Sequence, residues 1–463
     1  MLSIRAMFST DAMRALWTDA SVYAAMLRFE AALAHTQAGL GMIPPAAAES
    51  IQAVCARPQA FDWAAISAEA RKAGTAAIPF IKALKQEVAR LAPAHAACVH
   101  YGSTSQDVCE TALALQTRAA LRLVHAQLLD LGDALAALAA AHRRTAMLAR
   151  TLMQPAAPVS FGWKAAGWLD ALARCAAALR DAGEASRVIQ FGGSNGACSA
   201  LGPQGQDLAA GVAAMLGLRA TAIAWQSARD RLARLGNELA LCCAMLGKIG
   251  RDISLLMQSE VGEAFEPEGA GRGGSSAMPH KRNPMASMHM IDAALRAPPL
   301  ALALVSDMNA EQERGLGSWP NALPLLADLF MLLDNSLSMA VETLRGLRVS
   351  PAAMRANLAR QHGVIHSESL GMLLGRELGA DTGRRIVDAL CRQALETGVD
   401  LDELVLRHPE VNGRISAARI AQACSVERCL DAADTQCAAV LAQWSVRRAD
   451  LRAHTLGADD SLS

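Results

Sequence analysis

The chain has 463 residues, of which 52% are apolar, 19% charged and 4% aromatic, and its 44 Lys and Arg balance its 44 Asp and Glu. That length exceeds one ordinary compact core and favours two to four packed subregions, while the charge balance excludes the basic footprint of a dedicated nucleic-acid binder. Two tyrosines in a chain filled by Ala and Leu favour helices over sandwiches or barrels, and the apolar fraction excludes disorder.

Met1-Leu-Ser-Ile-Arg5 is followed at once by Asp11, Arg14 and Asp19, which is not a signal-peptide pattern, and a cytoplasmic protein is expected. No stretch is expected to span a membrane; the charge-free run Val188–Gln206 is rich in Gly, Ser, Asn and Gln. The eleven cysteines form no CxxC pair and no zinc quartet, so they are expected to be reduced apolar fillers.

Asp107 with Glu110 predicts a capping box that opens a helix running towards Ala146. Its seam is Leu121, Val124, Leu128, Leu131, Leu135 and Leu138, in alternating three- and four-residue steps. Pro155 and Pro158 are expected to end the next stretch, and Gly192-Gly193-Ser-Asn-Gly196 to form a loop. A second seam runs through Leu232, Leu235, Leu239, Cys242, Leu246, Ile249, Ile253 and Leu256, and a third through Leu326, Leu329, Leu333, Leu337, Ala340 and Leu344. Helices of some thirty residues span about 45 Å and must pack along similar ones, which a bundle shared between subunits achieves. Beyond Ser350 the helices shorten. The expected architecture is all-α: an N-terminal helical domain (1–107), a central long-helix bundle (108–348) with a functional loop at 259–285, and a C-terminal helical domain (349–463).

The chemistry concentrates in Gly273-Gly-Ser275-Ser276-Ala-Met-Pro279-His-Lys281-Arg-Asn283-Pro284. Asn283 and Pro284 are expected as N-cap and N1 of a helix whose free N–H groups attract an anion, with Lys281 adding a full charge. Ser275 sits on glycine-freed backbone, where its hydroxyl could lose a proton to form an alkoxide.

This segment resembles the GSSxMPxKxNP signature of the fumarase/aspartase superfamily, at Gly274, Ser275, Ser276, Met278, Pro279, Lys281, Asn283 and Pro284. The resemblance extends to Gly102-Ser103-Thr104-Ser105-Gln106-Asp107, similar to the family's TSxD segment, to Arg150-Thr-Leu152-Met-Gln154, similar to RTHxQ, and to Phe191-Gly192-Gly193. It implies three helical domains, a homotetramer with sites built from several subunits, and a small polycarboxylate substrate. It also implies Ser275 as the catalytic acid/base, and Lys281 and Asn283 with the backbone of Thr104 and Ser105 stabilising an aci-carboxylate. Ser103, Gln106, Gln154 and Ser276 complete the implied substrate-binding set.

Leu152 stands where the family carries a histidine that serves the leaving group. Leucine cannot donate a proton, so amine and hydroxide elimination are disfavoured and a leaving group that is already a stable anion is favoured. Phe8–Trp17, His100–Asp107 and Glu311–Trp319 are also similar to the bacterial 3-carboxy-cis,cis-muconate cycloisomerase branch. The implied reaction is closure of a γ-lactone in protocatechuate degradation, without cofactor or metal. Arg314 is expected to bind a substrate carboxylate bidentately rather than pair with Glu311 or Glu313. His100 is expected to pack rather than act, and His280 and His289 lack metal-ligand spacing. The alternative is a lyase of the same fold that expels another good anion, such as nitrite from nitrosuccinate.

Overall fold

The structure, a computed structural model, describes residues 7–269, 273–274 and 278–453. The N-terminal region contributes α1 (Asp11–Leu16), α2 (Asp19–Gly39), α3 (Pro45–Cys55), α4 (Trp63–Ala73) and α5 (Ala77–Leu91). The centre contributes α6 (Ser105–Ala141), a hairpin of β1 (Ala146–Thr151) and β2 (Gln154–Ser160), α7 (Phe161–Ser186), α8 (Gln204–Met215), α9 (Asp230–Leu256), β3 (Ala264–Phe265), α10 (Met285–Ser306) and α11 (Ala322–Arg345). β4 (Arg348–Val349), α12 (Pro351–Ala359), α13 (Ser367–Leu378), α14 (Ala380–Thr397), α15 (Leu401–Arg407), α16 (Ala417–Ala423) and α17 (Val426–Ala453) follow.

All three predicted seams lie in the interior. Leu131, Leu135, Leu235, Leu239, Ile249, Leu329 and Leu333 are fully buried in one core that joins α6, α7, α9, α10 and α11. A second core joins α2, α3 and α5 to the first half of α6 and to α8, and a third belongs to α13–α16. The last helix returns to the central bundle. There Cys437, Trp444 and Leu451 are buried, and Arg448 clasps Asp133 of α6 at 2.5 and 2.6 Å. Gly132 permits this docking, because a Cβ there would lie 2.1 Å from the Trp444 ring. All eleven cysteines are free thiols, four of them buried.

Four expectations need correction. The capping box opens one turn earlier, with Thr104 as N-cap and Asp107 at N3, and the helix ends at Ala141. Ala146 instead begins β1. Pro155 and Pro158 do not end a helix; they lie in β2, in a two-stranded hairpin whose lone ladder leaves an unbonded edge for residues that lack an N–H. By length and composition, Ser105–Ala141, Met285–Ser306 and Trp319–Arg345 each reach the hydropathy of a membrane span, although no stretch was expected to. The window in Trp319–Arg345 is 61% buried by the bundle, that in Met285–Ser306 only 28%. Finally, α10 begins at Met285 with Pro284 as N-cap and no side-chain cap from Asn283.

Candidate active site

Asp107 organises the first part of the site. Its buried carboxylate accepts from the N–H groups of Thr104 (3.1 Å), Gly192 (3.1 Å) and Gly193 (3.0 Å) and from Gln190 Nε2 (3.3 Å). The TSxD segment is thus tied to the Gly-rich turn, where Gly193 has φ +65°. Burial pushes the carboxyl up to about 6, against the pull of the N–H donors. Arg314 crosses to the same place: its Nη2 donates to Thr104 Oγ1 (3.2 Å), Gly193 O (3.3 Å) and Ser194 O (3.1 Å). Among the described residues no ion pair joins it to Glu311 or Glu313, and Glu311 accepts instead from Leu316 N at 3.0 Å. Its Nε is buried with no partner among the described residues, which leaves the guanidinium donors to spare for a carboxylate. Ser103, Thr104 and Ser105 are partly exposed beside it.

Gln106 is fully buried, and its Nε2 donates to Glu110 (3.1 Å) and to Gln226 O (2.9 Å). It faces the core, above the buried Arg229–Glu110 pair. Burial pushes Glu110 up to about 7, and Arg229 pulls it back down. His100 bonds Glu30 at 2.6 Å, and both are buried or nearly so. Burial alone would lower its pKa, but the Glu30 carboxylate outweighs that and holds it above the ordinary value.

The second part is the hairpin tip. Thr151 pairs with Gln154, so Leu152 and Met153 form a two-residue turn with φ of 50° and 65°. This left-handed geometry favours Asn-Gly, yet here it displays two apolar side chains, 97% and 68% exposed. Gln154 is exposed beside them.

The third part is the signature exit. Lys281 and Asn283 line a cavity of about 580 Å³ with Glu266, His289, Glu342 and Arg348. Gly273 (φ +63°) accepts from Asn283 N at 2.8 Å, and a Cβ there would lie 2.7 Å from Asn283 O. Ser275 and Ser276 lie outside the described residues. The helix end expected to attract a ligand anion is already occupied: Glu266 accepts from Ala286 N (3.0 Å), Ser287 N (2.7 Å) and Ser287 Oγ (2.7 Å).

Among the described residues, no hydrogen bond joins these three parts to one another within one chain. No group of three His, Cys, Asp or Glu that could hold a metal occurs among them either. Glu30, Glu263, Glu266 and Arg229 escaped the sequence reading. Only the Glu263-x-x-Glu266 spacing inside the long loop hinted at any of them.

Residues 5–298 match the lyase family model, and the chain belongs to the fumarase/aspartase superfamily of lyases. Within it, the chain is 41% identical over 411 residues to 3-carboxy-cis,cis-muconate cycloisomerase of Pseudomonas aeruginosa, covering 89% of each. It is 38% identical over 425 residues to nitrosuccinate lyase of Streptomyces davaonensis, covering 90% of this chain and 89% of the relative. The crystal structure of 3-carboxy-cis,cis-muconate lactonizing enzyme from Pseudomonas putida superposes with a TM-score of 0.89 at 36% identity, covering 96% of this chain and 99% of that one.

Proposed function

We propose that the chain is a 3-carboxy-cis,cis-muconate cycloisomerase. The observation that carries this reading is the hairpin tip: it presents Leu152 and Met153, and no proton donor, at the position where the superfamily places its histidine. A carboxylate nucleophile and leaving group needs no proton there. In the forward direction a substrate carboxylate oxygen bonds to the conjugated carbon, the π electrons move onto the adjacent carboxylate as an aci-carboxylate, and the Ser275 hydroxyl delivers a proton to its α-carbon. Lys281 and Asn283 stabilise the developing dianion, and Arg314, with Thr104 and Ser105, binds a further carboxylate. Ser103, Gln154 and Ser276 complete the contacts, while Gln106 acts from behind by holding the start of α6.

The three parts come together between copies in a homotetramer. Its support is the apolar stripe of α10, where Met288, Leu295 and Leu302 are 44%, 72% and 64% exposed at seven-residue spacing, the rhythm of a helix seam. An ultraviolet assay tests the reading. Loss of muconate absorbance on adding the protein is expected; nitrite release from nitrosuccinate without muconate turnover would replace the cycloisomerase with a nitrite-expelling lyase.

A further inference from the structure

Between α9 and the glycine-rich segment the chain carries two carboxylates that the chemistry above does not use. Glu263 is fully buried and accepts from Arg150 Nη1 (2.9 Å), Arg150 Nη2 (2.8 Å) and Asn357 Nδ2 (2.7 Å). Its backbone is fixed as well, its N–H donating to Leu256 O (3.0 Å) and its carbonyl accepting from Ser350 N (2.9 Å). Three residues on, across β3, Glu266 takes the first N–H groups of α10 and the Ser287 hydroxyl. The two carboxylates flank β3, which pairs with β4, and they reach apart: Glu263 to Arg150 of the hairpin and Glu266 to the start of α10.

These contacts are of the stiff kind: a bidentate guanidinium–carboxylate pair, and an anion held by a helix N-terminus and a hydroxyl. Arg150 lies two residues before Leu152, and Ser287 four residues after Asn283. The segment from 263 to 266 is thus a short brace between the hairpin tip and the signature exit. We infer that Glu263 and Glu266 are positioning residues, which hold the hairpin tip and the Lys281–Asn283 turn at a fixed separation. Each then enters its reacting centre in register. The inference rests on the reading that both parts serve the reaction. Because a displacement of about 1 Å can cost on the order of 100-fold in rate, kcat is the parameter the brace controls.

The test uses the assembled full-length protein. Glu266→Ala leaves an empty cradle at the start of α10 that a small carboxylate fits. Its kcat should fall by at least about tenfold with KM changed by less than about threefold, the signature of lost geometry rather than lost binding. Formate should restore part of that kcat and raise the Tm of Glu266→Ala, leaving the unsubstituted protein unaffected. Glu266→Gln, which keeps an acceptor, should retain more activity than Glu266→Ala. Glu263→Gln should also lose kcat without dissociating, since its amide still reaches Arg150 through one oxygen. Unchanged kcat in both Glu266→Ala and Glu263→Gln would overturn the inference, as would a loss confined to KM. The formate-dependent Tm rise needs no turnover, so its absence overturns the brace separately. Lack of muconate turnover by the unsubstituted protein would instead overturn the functional reading.

Discussion

Replacing Arg314 with Met tests whether the TSxD segment is completed by a residue 210 positions away. In the structure one guanidinium nitrogen serves three acceptors at 3.1–3.3 Å while Nε stays unpartnered. Long neutral-acceptor bonds of this kind contribute about 1 kcal/mol together, and a charge-assisted bond from the spare donors to a substrate carboxylate about 1.5–3 kcal/mol. The sum, about 2.5–4 kcal/mol, corresponds to a loss of roughly 70- to 900-fold in kcat/KM. Arg314→Lys keeps the charge but not the planar fork, and should fall between Met and the native residue. Steady-state ultraviolet kinetics with the muconate substrate give both numbers, and calorimetry checks that the fold persists. A kcat/KM within about threefold of native for Arg314→Met would refute the assignment of Arg314 to the site.

Three further outcomes are expected. Leu239→Asp places an unpaired charge at a fully buried seam position, so analytical ultracentrifugation and circular dichroism should show unfolding or loss of the proposed tetramer; an unperturbed fold and assembly would contradict the packing. Glu30 holds the folded-state pKa of His100 above its usual value, so this pair's stabilisation is complete below about pH 6.5 and lost as pH rises through the raised value. The Tm gap between the native protein and His100→Gln should therefore shrink between pH 6 and 9, and a constant gap would count against the pair. Ser275→Ala and Lys281→Met should each lower kcat by at least about 100-fold with Tm nearly unchanged; a pure KM effect for Lys281→Met would demote it to binding.

The long helices were legible because burial on one narrow stripe leaves a 3.6-residue imprint, and Leu135, Leu239 and Leu333 all fall where that imprint puts them. The hairpin was not. Its turn uses Leu152 and Met153 instead of the Asn-Gly that signals such a turn, and β2 carries Pro155 and Pro158, which read as helix terminators. The α10 cap was misplaced because the group that caps it, Glu266, lies 19 residues before the helix start, and sequence spacing reveals only local partners. The same limit hid the Glu30–His100 pair and the Arg150–Glu263 pair, whose members are 70 and 113 residues apart. Membrane-like composition went unnoticed in α10 because a stripe of exposed Met and Leu on a bundle helix has the same average hydropathy as a span.

In the proposed assembly, one reacting centre draws Arg314 and Lys281 from different copies of the chain. Arg314→Met and Lys281→Met, each expected to keep at most about a few per cent of native activity alone, can be mixed one to one, dissociated and reassembled, and then assayed for loss of 3-carboxy-cis,cis-muconate absorbance. With random assembly of a symmetric oligomer, about a quarter of the shared centres receive both native residues. Recovery to roughly that fraction of native activity is the predicted result, and no recovery from a fully reassembled mixture would contradict it.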